Sequence, residues 1–369
     1  MSALALQEII PAPATLAALK RRVMANAAKR PGVYEFLDAT GVVVYVGKAK
    51  DLRQRLLSYF AAPSRSKSSL LIRSAAGIRW HHMPSEFAAL LEELRLIQTL
   101  RPRYNVHGSA SPASLAFIRV AGGPVPRLAV TAQPRDPGGL YFGPFRGRAQ
   151  TVGAVHVLAD LLGLRDCADR TPMRFRDQAS LFEAPLAPLC IRHELKTCLG
   201  PCAAKVGAGR YQRAVRAARD FLEARSAHPL DRVLDAMHEA AAARQFERAA
   251  HWRGRLDELT RLFAAVSRLR AAVEALSFVY TVDDQGGERD ARVYLVRRGT
   301  VRAVAALPRT PIEREAFAAL VRRHTQDPEP APVARTGSEM GQLMLVMSWF
   351  RAHPEEYERT SRYATWATA

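Results

Sequence analysis

Residues 31–60 read PGVYEFLDATGVVVYVGKAKDLRQRLLSYF, and the rest of the chain is organised around this stretch. Two short runs rich in β-branched and aromatic residues, 33–37 and 42–46, are joined by Asp38-Ala39-Thr40-Gly41, which predicts a β-hairpin. Asp51 stands as N-cap of a following helix, with Gln54 three residues on and Leu52, Leu56 and Leu57 as its apolar stripe. Arg55 and Tyr59, four apart, share one helix face. Tyr34 and Tyr45 therefore lie on paired strands, with Lys48 and Arg55 on the turn and helix beyond.

Phenols beside cations suit phosphodiester hydrolysis. The reaction needs a group to take a proton from water, cations for the charge growing on the phosphoryl oxygens, and usually a carboxylate-held metal. A phenol with a pKa of about 10 acts as a base near neutral pH only where adjacent cations favour its ionised form, the role expected of Lys48 and Arg55. Beyond Phe60, 64–69 reads as an exposed loop and 77–82 as a third strand. Ser85 caps a helix whose apolar face carries Phe87, Leu90, Leu91, Leu94 and Ile97. At about 100° per residue Glu92 points away from that face, whereas Glu93 lies on its flank and is the candidate metal ligand.

Gly32-Val33-Tyr34 and Tyr45-Val46-Gly47 resemble the GIY-YIG nuclease motif. The string Tyr45-Val46-Gly47-Lys48-Ala49-Lys50-Asp51-Leu52, with Ser58-Tyr59-Phe60 after it, is similar to the UvrC/Cho excision-repair branch of that family. The resemblance implies an α+β nuclease domain in which Glu93, twelve residues before the asparagine of Pro102-Arg103-Tyr104-Asn105, holds Mg2+ or Mn2+. It further implies that Tyr34 or Tyr45 positions or deprotonates the water and that Arg55 stabilises phosphoryl charge. Lys48 would tune the phenols, Tyr59 support the phosphate and Asn105 orient its neighbours.

A chain of 369 residues holds two or three domains, and its net charge of +19 points to a polyanionic partner, with nucleic acid the natural candidate. No run of about twenty apolar residues is present and the N-terminus lacks a signal-peptide pattern, so no membrane association and a cytosolic location are expected. In that compartment Cys167, Cys190, Cys198 and Cys202 are not expected to form disulfides. Gathered in one window, with Gly200-Pro201 turning the chain, they suggest a four-thiolate metal site, zinc or iron–sulfur. Cys198-Leu199-Gly200-Pro201-Cys202 resembles the UvrC cysteine region, which implies a [4Fe-4S] cluster, although the interval from Cys167 to Cys190 is longer than is usual there.

The expected organisation is an extension at 1–30, the nuclease domain at 31–110, a linker region with strands at 111–140 and a cysteine-cluster domain at 141–226. A helical hairpin at 229–266 and a small α+β region at 275–369 follow, leaving no room for an RNase H-like domain. Phe246-Glu247-Arg248-Ala249-Ala250-His251-Trp252-Arg253 resembles the UVR motif, which implies docking of a UvrB-like protein through 246–256, with Gly254 where the family usually has aspartate. Together the resemblances imply an endonuclease that cuts damaged double-stranded DNA on the 3′ side of a lesion. The rivals are a restriction or homing-type GIY-YIG nuclease and a DNA-binding adaptor without chemistry.

Overall fold

The β-branched and aromatic runs around the Asp38 turn do pair. The computed structural model describes residues 10–11, 16–63, 65–106, 115–178, 190–283, 291–326 and 333–367. The chain divides into two units, 1–110 with 276–327 and 341–369, and 111–275 with 328–340.

In the first unit β1 (Ile10–Pro11), β2 (Gly32–Leu37), β3 (Val43–Ala49) and β4 (Gly77–His82) form an antiparallel sheet in the order β1-β4-β2-β3. Tyr34 sits opposite Gly47 on one side and Trp80 on the other. Helix α1 (Leu16–Asn26) lies within the segment expected to be an extension, and its Leu19 and Val23 join the core cluster of Tyr34, Phe36, Leu52, Leu56 and Tyr59. Helix α2 (Leu52–Phe60) starts at Asp51, whose side chain accepts the Gln54 amide.

Of the loop expected at 64–69, residues 67–69 are instead helical, and 64 lies outside the described residues. Ser66 caps α3 (Lys67–Ser74) by accepting the Ser69 amide, and Leu71 and Ile72 are buried in the same core. A Ser-rich start that reads as loop is also what an N-cap requires. Ser85 caps α4 (Glu86–Leu100), and α5 (Arg103–Val106) follows the turn at Pro102.

The second unit begins with the strands assigned to a linker. β5 (Leu115–Val120) and β6 (Leu128–Thr131) are not a connection: β5 pairs with both β6 and β7 (Leu140–Arg146), so all three belong to one sheet. Phe117, Ile118, Leu128 and Phe142 on these strands are buried, which a linker would not sustain. Among the described residues, the α-helices that follow are α6 (Arg148–Leu162), the short α7 (Ile191–Glu194), α8 (Ala208–Leu222), α9 (His228–Ala242) and α10 (Phe246–Ala275). The last two pack along each other as the predicted helical pair, α10 running nine residues past the expected end at 266.

The region from 275 onward does not form a separate unit. β8 (Phe278–Val282), β9 (Arg292–Arg297) and β10 (Thr300–Ala306) make a sheet backed by α11 (Pro311–Gln326). β11 (Arg335–Thr336) pairs with β7 in the second unit's sheet. The remaining elements are α12 (Gly337–Ala352), β12 (Thr360–Ser361), which pairs with β8, and α13 (Tyr363–Ala367). What draws this sheet to the nuclease fold is Phe87 on α4, fully buried, whose ring meets Tyr280 and Tyr294 edge-on at 5.1 Å and Trp349 at 5.5 Å. Tyr280 accepts the Trp349 indole N–H at 3.1 Å and donates to Glu356 at 2.8 Å, so its buried hydroxyl is satisfied. Phe87→Ala is therefore expected to destabilise this unit by about 3–5 kcal/mol, read from the urea midpoint. A loss under about 1 kcal/mol would show that the aromatic contact does not carry the docking.

Candidate active site

The motif glycines have a steric cause. A Cβ on Gly47 would lie 2.5 Å from the ring and hydroxyl of Tyr34, and one on Gly32 would collide with Leu52 and the His81 carbonyl. With both absent, the Tyr34 ring lies directly over β3. Tyr34 is 1 % exposed; its hydroxyl hydrogen-bonds that of Tyr59 at 2.8 Å and accepts Arg55 Nε at 3.1 Å. Arg55 also donates to the Tyr59 hydroxyl at 3.3 Å. Tyr45 stands beside them, its ring 6.2 Å from that of Tyr34, and is half-buried, so it is the strand tyrosine with access to solvent.

This burial overturns the expectation that cations would make the phenols acidic. Desolvation pushes Tyr34 up to about 12, aided by Tyr45 and only partly opposed by Tyr59 and Arg55. Tyr59 is pushed up further by the same cause. Both phenols stay protonated near neutral pH. Tyr59 is 2 % exposed, with its hydroxyl bonded to both Tyr34 and Arg55.

Lys48 does not act on these phenols either, because its ammonium pairs with Glu86 in the first turn of α4 at 2.8 Å. Its charge bears on Glu93. The Glu93 carboxyl is raised by burial, with Lys48 and Arg55 pulling it partly back. Glu92, by contrast, is held by Arg95 on the outer side of the helix.

β3 is an edge strand, and edge strands leave every second backbone amide unpaired. Here two candidate site residues fill those positions. Asn105 accepts the Val46 amide and donates to the Val46 carbonyl, both at 2.8 Å, and Glu93 Oε1 accepts the Lys48 amide at 3.1 Å. The structure thus brings Tyr34, Tyr45, Lys48, Arg55, Tyr59, Glu93 and Asn105 together, and adds Glu86, which the sequence reading missed. Its place in the first helical turn, one residue after the cap, was the available signal.

Among the described residues no group of three or more His, Cys, Asp or Glu side chains is arranged to hold a metal ion. A single carboxylate still fits Mg2+, a hard ion that keeps several waters and takes one or two carboxylates. The four cysteines are free and belong to the second unit. Burial raises Cys198 and Cys202, with smaller contributions from Cys190 to both and from Cys167 to Cys202. The Gly200 amide donates to Cys198 Sγ at 3.5 Å and Arg165 to Cys167 Sγ at 3.8 Å. Their number and softness fit a thiolate cluster, but the thiols do not converge on one centre.

Residues 30–106 match the model of the UvrC-like GIY-YIG domain, and 115–221 that of the UvrC/Cho excinuclease middle domain. The chain thus carries a UvrC-like GIY-YIG domain at 30–106 and a UvrC/Cho middle domain at 115–221. It is 32 % identical to the UvrABC system protein C of Chelativorans sp. (strain BNC1) over 73 % of this chain and 40 % of that one. Identity to the protein of the same name from Desulforudis audaxviator is 37 %, over 64 % of this chain and 37 % of the relative. The chain thus spans less than half the length of these relatives. Among solved structures it resembles the GIY-YIG N-terminal endonuclease domain of Thermotoga maritima UvrC bound to magnesium, at 36 % identity, over 24 % of this chain and 96 % of that one, with a TM-score of 0.22. No helix among the described residues is long and apolar enough to cross a membrane.

The two hydrogen bonds between Asn105 and a fully buried Val46 predict the cost of removing them. Asn105→Ala leaves an amide and a carbonyl unpaired and should lower stability by about 1–3 kcal/mol in urea unfolding. Equal stability of the variant and the parent would show that the edge strand does not need this side chain.

Proposed function

We propose that this chain is a metal-dependent DNA endonuclease of the UvrC/Cho type that hydrolyses one phosphodiester on the 3′ side of a lesion. The observation that carries it is the gathering of the Arg55, Tyr34 and Tyr59 network, Tyr45 and the half-buried carboxylate of Glu93 beside one edge strand. Residues 115–221 speak against a restriction or homing-type enzyme, since they match a middle domain of excinucleases. The presence of every expected polar residue speaks against an adaptor without chemistry.

In this reading Glu93 holds Mg2+ or Mn2+ through the oxygen not engaged by the Lys48 amide. Bound there, the ion supplies Lewis acidity to the phosphoryl oxygens. Tyr45, the half-buried strand phenol, would position the attacking water, and would take its proton only as the phenolate. Tyr34 remains protonated and, with Tyr59, fixes Arg55 where negative charge develops. Lys48, steered by Glu86, favours the ionised form of Glu93, while Asn105 holds the strand that carries Tyr45.

Two further assignments concern the second unit. Cys167, Cys190, Cys198 and Cys202 would bind a [4Fe-4S] cluster, or zinc, once the thiols close on it. The segment 246–256 would dock a UvrB-like protein, a reading supported by Phe246, an apolar residue 71 % exposed at the start of α10.

One set of nicking assays on lesion-bearing duplex examines the reading. Arg55→Ala and Glu93→Ala should each lower the rate about a hundred- to a thousandfold while DNA binding holds, and Glu92→Ala should spare it. Phe246→Ala with Trp252→Ala should keep basal nicking and lose stimulation by UvrB. Anaerobic preparations should contain iron and sulfide. Full activity in Glu93→Ala would overturn the catalytic assignment, equal stimulation of the double variant the docking, and zinc without iron the cluster.

A further inference from the structure

A cleft of about 600 Å³ opens in the second unit between the start of α6 and the middle of α10. Its lining includes Arg146, at the end of β7, and Arg261 and Arg268, two turns apart on one face of α10. All three are exposed, and none has an ion-pair or hydrogen-bond partner among the described residues. Several other arginines of the unit do have acidic partners. Arg127 and Arg165 pair with Asp169, Arg192 with Asp160 and Asp166, and Arg270 with Glu274. One acidic residue, Glu258, lines the cleft, its carboxylate seated against Gly153. Three unneutralised guanidinium groups facing one concave space would repel each other unless an anion shares it. Guanidinium groups are suited to phosphate, which they grip through paired N–H donors. Helix α6 also opens here without a side-chain cap, and its positive end adds to the field of the arginines.

We infer that the cleft lined by Arg146, Arg261 and Arg268 binds the phosphate backbone of duplex DNA, as a contact separate from the nuclease site. The inference rests on the reading of this chain as a DNA endonuclease. The contact carries no base information, because phosphate contacts fix position and not sequence.

The test uses the full chain, a labelled undamaged duplex and metal-free buffer, so that the DNA stays intact. Arg146→Ala, Arg261→Ala and Arg268→Ala together should flatten the plot of log affinity against log salt by about three units, one per arginine. Arg213→Ala, Arg216→Ala and Arg219→Ala, on the exposed face of α8, remove the same formal charge outside the cleft and should flatten it less. Glu258→Gln should tighten binding, an effect that misfolding would not mimic. With Mg2+ the cleft variant should show a raised KM for nicking at unchanged kcat. Equal effects of the two triple variants, or no change in slope, would overturn the cleft, as would full displacement of the duplex by inorganic phosphate at low millimolar concentration. A wild-type chain that binds DNA but never nicks it would defeat the endonuclease reading while leaving the binding comparison intact.

Discussion

Everything in the first unit depends on how closely a tyrosine ring can approach a backbone. Tyr34 lies over β3 because Gly47 offers no Cβ, and from that position its hydroxyl meets both Tyr59 and Arg55. Any larger residue at 47 would lift the ring and break a network in which two buried hydroxyls and the exposed Arg55 guanidinium satisfy one another. Buried polar groups are tolerated only when bonded in this way. The two glycines of the motif are thus packing requirements, and the chemistry proposed for the site rests on the space they leave.

The same economy appears at the edge of the sheet. An exposed edge strand is exposed to unwanted pairing, and β3 is closed off by Asn105 and Glu93, which occupy the backbone groups of Val46 and Lys48. Fold and chemistry are coupled there, because Glu93 is oriented by the strand it caps. Burial that fixes Glu93 also raises its pKa, and the charges of Lys48 and Arg55 offset part of that rise. For the phenols the balance goes the other way: desolvation outweighs the single arginine and keeps Tyr34 and Tyr59 neutral.

Much of this was legible in sequence because it is local. The hairpin around Asp38 to Gly41 and the Asp51 and Ser85 caps follow from patterns within a few residues. What was not legible depends on distant partners. Phe87 reads as a core residue, but nothing near it announces that its core is built from Tyr280, Tyr294 and Trp349. β5 and β6 look like linker strands until β7 supplies their neighbour. Lys48 was expected beside the phenols, yet Glu86, a nearer opposite charge, holds it. The sign of the phenol shift depends on the depth of burial, which composition does not report.

Divalent-ion binding through Glu93 is measured by titrating Mn2+ into the DNA-free protein and following free ion by electron paramagnetic resonance. The parent should show one site that weakens on acidification at a higher pH than an ordinary carboxylate would give, because the raised carboxyl protonates early, and Glu93→Gln should lack it. Equal Mn2+ binding by Glu93→Gln and the parent would overturn the assignment.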